Sequence, residues 1–209
     1  MRLLLRVIFS FGLGITCCER LAAQSSSPLD SLLHIVQADS HDSATADALY
    51  ELAIEFLATD LAQADSFADL SLTLSREIRY GIGEAKALGA KAYAQQDGGN
   101  YLKALESYEA SKQVSLRIRD SIGIQQMEQN IGTVHAQMGN YPLALEHFLS
   151  ALRISRFMRD EYGEANALST IGSIHKEQHE FDLALRNYAD ARRLFEKTGN
   201  TTGMAAVDN

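Results

Sequence analysis

Gly139-Asn140-Tyr141-Pro142-Leu143-Ala144-Leu145 and, 40 residues earlier, Gly99-Asn100-Tyr101-Leu102-Lys103-Ala104-Leu105 carry one pattern: a turn, an aromatic, then Ala-Leu. Gly-Asn supplies the left-handed backbone that ends one helix. Pro142 sits just inside the next, where its missing N–H costs nothing. Each stretch therefore marks a joint between two helices. The same offset aligns Gly83, Gly123, Gly163 and Gly203, then Ala64, Ala104, Ala144 and Ala184, with no gap. Tyr101, Tyr141 and Phe181 agree, as do Leu105, Leu145 and Leu185; Tyr108, Phe148 and Tyr188; Gly132 and Gly172; and His135 and His175. Agreement at so many positions identifies an internal repeat.

Within a period the apolar spacing is helical. Ala144, Leu145, Phe148, Ala151, Leu152 and Ser155 follow steps of three and four, while Glu146, Arg153 and Arg156 fall on other faces. Each period thus reads as a hairpin of two amphipathic helices. Alanine and glycine in step suit the closest crossings, with Ala144 expected opposite Gly132 and Tyr141, Leu145 and Phe148 filling the space beside them.

Composition agrees. The 209 residues are 46% hydrophobic, hold only Pro28 and Pro142 as prolines, and lack tryptophan, a balance that favours helix and a buried core. The formal charge of -8 gives a field that repels nucleic acid and anionic lipid. Both cysteines, Cys17 and Cys18, lie in the N-terminal segment. That segment has Arg2 and Arg6 at its start, an apolar stretch over 7–18, and Leu21-Ala22-Ala23-Gln24 as a processing region. It reads as a signal peptide over 1–24 and as too short to span a bilayer, so the expectation is export to a periplasmic or other extracytoplasmic space.

The whole resembles the tetratricopeptide repeat family. Gly132, Ala144, Phe148 and Ala151 reproduce the family's small, small, aromatic, small spacing, and Gly172, Ala184, Tyr188 and Ala191 repeat it; Gly83, Ala104 and Tyr108 hold corresponding places. The period of 40 exceeds the family's usual ~34 and is similar to an extended bacterial variety. The resemblance implies an all-α, right-handed superhelical solenoid of antiparallel hairpins. A linker and N-terminal capping segment is expected over 25–42 and the array over 43–209. Its units run 43–82, 83–122, 123–162 and 163–202, with a fifth, truncated one at 203–209. Such a register suggests a piece of a longer protein.

The resemblance also places the lining of the inner face. In register it gives Lys86 and Tyr93; Gln126, Gln129, Thr133 and Gln137; and Asn166, Ser169, Ser173 and Glu177. This mostly polar set is able to hydrogen-bond the main chain of an extended peptide, and serves equally as solvated helix surface. Gly89, Gln129 and Ser169, or Tyr93, Thr133 and Ser173, stand where carboxylate-gripping arrays hold Lys, Arg and Asn, which argues against that subclass.

Other chemistry finds little support. Gly81-Ile82-Gly83 and Gly89 lack the spacing and the preceding strand of a phosphate loop. His175 and His179 stand four apart, yet no third ligand is evident and Lys176 adjoins; a structural role is expected for them and for His135. No nucleophile and base constellation stands out. The expectation is a non-catalytic exported scaffold with a protein or peptide partner, no cofactor, no metal and no nucleic acid. Membrane attachment would come only through a lipid anchor or a downstream segment. The alternative is the extracytoplasmic sensor region of a longer signalling protein with a histidine kinase, nucleotide cyclase or transcriptional output.

Overall fold

The computed structural model describes residues 28–38 and 40–208. The expected signal peptide, with Cys17 and Cys18, lies outside the described residues. Helix α1 (Pro28–Gln37) precedes four hairpins: α2 (Ser43–Phe56) with α3 (Leu61–Glu77), α4 (Gly81–Asp97) with α5 (Tyr101–Ile118), α6 (Ser121–Gln137) with α7 (Tyr141–Met158), and α8 (Glu161–Glu177) with α9 (Phe181–Thr198). The short α10 (Thr201–Val207) follows. Each helix packs mainly on its chain neighbours, as a solenoid requires. The first helices of successive hairpins also touch, α2 with α4 and α4 with α6, which puts them on the inside of the curve.

Three devices recur at the joints. The side chains of Asp120, Asp160 and Asn200 accept hydrogen bonds from the amides of Gly123, Gly163 and Gly203 at 3.0, 3.0 and 2.9 Å, satisfying an orphan N–H of α6, α8 and α10. At the preceding helix ends the chain turns left-handed at Arg79, Arg119, Arg159 and Gly199, with φ of 56°, 59°, 58° and 71°. The next amide then donates back to the carbonyl of Ser75, Ser115, Ser155 or Phe195 at 2.7 to 2.9 Å, which closes a Schellman motif. Within hairpins Gly99, Gly139 and His179 take the same backbone. Left-handed φ suits glycine and is costly for the others.

Packing explains the glycine register. A Cβ at Gly83, Gly123 or Gly163 would come under 3.0 Å from Ser75, Ser115 or Ser155 Oγ on the preceding hairpin. These serines are fully buried; Ser155 receives the Gln125 amide at 3.1 Å, while the Ser75 and Ser115 hydroxyls have no partner. A Cβ at Gly132 would first strike the Phe148 ring, and one at Gly172 the Tyr188 ring and then the Ala184 carbonyl at 3.3 Å. The small residue thus makes room for an aromatic and, at Gly172, for the facing backbone as well. Ala104, Ala144, Ala151, Ala184 and Ala191 are buried, as are Tyr108 and Phe148, each aromatic contributing roughly 2 kcal/mol of burial.

Candidate peptide groove

Because the first helices face inward, their exposed positions line a continuous furrow with two compartments. The first, of about 980 Å³, lies across α2, α4 and α6; the second, of about 700 Å³, lies across α6, α8 and α10. Gln129 and Asn130 belong to both and join them.

The structure brings eight of the ten residues read from the sequence into this furrow. Lys86, Tyr93, Gln126 and Gln129 line the first compartment, and Gln129, Thr133, Asn166, Ser169 and Ser173 the second. Gln137 and Glu177, near the ends of their helices, line neither; Gln137 accepts a hydrogen bond from Gln96 Nε2 at 3.0 Å. Lys86 is already engaged, its Nζ 5.2 Å from the centre of the Tyr50 ring and 3.4 Å from Asp47 Oδ1.

Hydroxyl directions set what the second compartment offers. Thr133 Oγ1 donates to the Gln129 carbonyl at 2.9 Å, Thr170 to Asn166 at 2.6 Å and Ser173 to Ser169 at 3.1 Å. Their protons are spent on their own helices, so Thr133 and Thr170 are left with oxygen lone pairs to offer, while Ser173 Oγ also accepts from the Tyr188 hydroxyl at 3.1 Å. Asn130, Asn166 and Gln129 supply amides that both donate and accept. The wall thus carries both donors and acceptors, as pairing with an extended main chain requires.

The sequence reading missed the apolar share. Ile82, Ile122 and Tyr162, 50%, 61% and 54% exposed, occupy one repeat column at the second residue of α4, α6 and α8 and lean into the furrow with Tyr50 and Ile54. The column was visible at the 40-residue offset, but an apolar residue near a helix start reads as core. Asn130 and Thr170 were also missed.

The histidines serve elsewhere. His179 lies past the end of α8 in left-handed backbone, with its ring edge-on to Phe181, so it does not share a helix face with His175, which bonds Glu180 Oε2 at 2.6 Å. No group of three His, Cys, Asp or Glu among the described residues converges as metal ligands would, and no described helix is long and apolar enough to cross a membrane.

Comparison with known proteins agrees with this architecture. The tetratricopeptide repeat family model matches residues 123–197. No curated protein matches the chain. Among solved structures, the apo form of RapI superposes with a TM-score of 0.71 at 19% identity, covering 83% of this chain and 66% of that one. A Rap protein complexed with Competence and Sporulation Factor gives 0.76 at 14%, covering 86% and 52%. A signal transduction ATPase with a tetratricopeptide repeat sensor, from Pyrococcus horikoshii, gives 0.75 at 14%, covering 85% and 28%. The chain therefore spans about two thirds or less of the length of these structures. With the repeat register, the hairpins and the matched profile in agreement, the chain folds as a tetratricopeptide-like helical solenoid, and residues 123–197 carry the family's own pattern.

Proposed function

We propose that the chain is an exported, non-catalytic scaffold that holds a protein or peptide in the furrow formed by its first helices. The observation that carries this reading is the sharing of Gln129 and Asn130 by the two compartments, whose walls carry both donors and acceptors. The Rap protein of similar fold, solved with Competence and Sporulation Factor, supports it. A photocrosslinking residue placed at Gln129 or Asn166 should then capture a polypeptide in cell extract, whereas one at Gln113, exposed on the second helix α5, should not. Equal capture at all three sites would sink the furrow as the binding surface. Export is tested apart from binding: residues 1–42 fused to alkaline phosphatase should give activity outside the cytoplasm, and none would remove that half of the reading.

A second reading makes the same furrow the sensor region of a longer signalling protein, with kinase, cyclase or transcriptional output in another segment. It is favoured by the resemblance to the tetratricopeptide repeat sensor of a much longer signal transduction ATPase, of which this chain covers 28%. The coding sequence downstream separates the two: an apolar span of about 20 residues followed by an output domain supports the sensor, and a stop codon after further hairpins the scaffold.

A further inference from the structure

Gly89 differs from the other interior helical glycines. Gly83, Gly123, Gly163, Gly132 and Gly172 are each demanded by a neighbour that a Cβ would strike. At Gly89, in the middle of α4, an added Cβ would stand 3.6 Å from Met127 Cε and 3.9 Å from Ser111 Oγ, in ordinary contact. Alanine would fit and would suit the helix better. The equivalent positions in the other repeats are Leu49, Gln129 and Ser169. Neither helix propensity nor packing explains the glycine. Its effect is to remove a side chain from the floor of the first compartment, leaving a notch walled by Tyr50, Ile82, Tyr93, Ile122 and Met127.

The charge around the notch is one-sided. Asp97 and Asp120 line the compartment, while its one cation, Lys86, is tied to Asp47 and to the Tyr50 ring. The chain as a whole carries -8. A cationic ligand is thus drawn to this end.

We propose that the notch at Gly89 receives one bulky apolar side chain, aromatic or long aliphatic, of a bound peptide whose flanking residues are basic. This rests on the furrow reading above and assigns the chemistry of its first compartment.

The test selects binders for the full chain from a phage library of random peptides. The expected peptides carry a single large apolar residue beside Lys or Arg. Gly89→Leu, which fills the notch, should weaken a synthetic peptide of that sequence by about tenfold or more. Replacing the peptide's apolar residue by Ala should cost as much on the native chain and nothing further on the variant. Added salt should also weaken binding. Ile122→Ser, at an exposed position, gives a second arm should Gly89→Leu fail to fold. Peptides that lack an apolar anchor, or that ignore Gly89→Leu and Ile122→Ser yet are lost on Asn166→Ala, overturn the anchor and leave the furrow standing. Peptides indifferent to both compartments, or a library that yields no binder, overturn the furrow reading as well.

Discussion

At the scale of the residue, identical amino acids in this chain answer to different constraints, and the glycines separate them. A Cβ at Gly163 would meet Asp160, Ser155 and Gln125 together; Gly163→Ala must push apart a cap, a buried serine and a buried glutamine. We expect a loss of roughly 2 kcal/mol in urea denaturation, whereas Gly89→Ala should gain up to about 1 kcal/mol by favouring the helix. Equal effects would refute the distinction. Glycine and alanine were legible in the sequence because a steric demand that recurs every 40 residues leaves a residue type behind at that offset. The partner of each demand was not legible. Gly132 and Ala144 suggested close backbones, as Gly172 and the Ala184 carbonyl show, but not the rings of Phe148 and Tyr188 that come nearest; which side chain enters a gap depends on the relative rotation of two helices, which periodicity does not encode.

At the scale of the element, the hairpins were readable and their joints only half so. Gly99 and Gly139 announce the turns inside hairpins, but the turns between them fall at Arg79, Arg119 and Arg159, whose φ of 56°, 59° and 58° is the left-handed backbone that glycine supplies at Gly199. Arginine carries no such signal, so these Schellman closures leave no mark in the sequence. Each such residue costs about 1 kcal/mol in backbone energy. Arg119→Gly and Arg159→Gly should therefore raise the thermal midpoint, by up to about 1 kcal/mol of stability each after glycine's own entropy in the unfolded chain is offset. No change, or a fall, would mean that the arginine side chains contribute enough at the surface to cancel the strain. The apolar lining at Ile82, Ile122 and Tyr162 was hidden for a related reason: burial is a property of the superhelix, and the 3.6-residue pattern of one helix does not tell an inward wall from a core.

At the scale of the whole molecule, the departures from the repeat become the informative positions. Leu88 and Leu168 are buried, but the same column holds Glu128; Leu72 and Leu152 are buried, but that column holds Lys112. The two meet where α5 reaches α6, with Lys112 Nζ 3.6 Å from Glu128 Oε1 and 2.6 Å from Glu109 Oε2, and His147 of α7 bonds Glu128 Oε2 at 2.7 Å. His135 of α6 stacks on His147 at 5.5 Å between centroids, and its Nδ1 is buried without a partner. Burial, and then the neighbouring His147, push the His135 pKa below its ordinary value of 6.5. For Glu128, burial pushes upward, but the His147 hydrogen bond and the Lys112 charge together hold it below 4.5. The signs then fix two windows. His135 is neutral in both states well above 6.5; as pH falls below 6.5 the unfolded chain takes the proton first, so stability is lost until the folded His135 is protonated as well. Glu128 contributes above its unfolded value and loses that contribution only in the more acidic range. Thermal melts should thus show a first decline as pH falls below about 6.5 and a second below about 4.5. His135→Phe should remove its share of the first decline and leave the second. The double change Lys112→Leu with Glu128→Leu, which restores both columns, should reduce the second and raise stability at pH 7, since a well-packed apolar pair commonly outperforms a buried ion pair. A His135→Phe variant whose midpoint falls with pH as steeply as the native chain's would show that the burial of His135 does not couple proton uptake to folding.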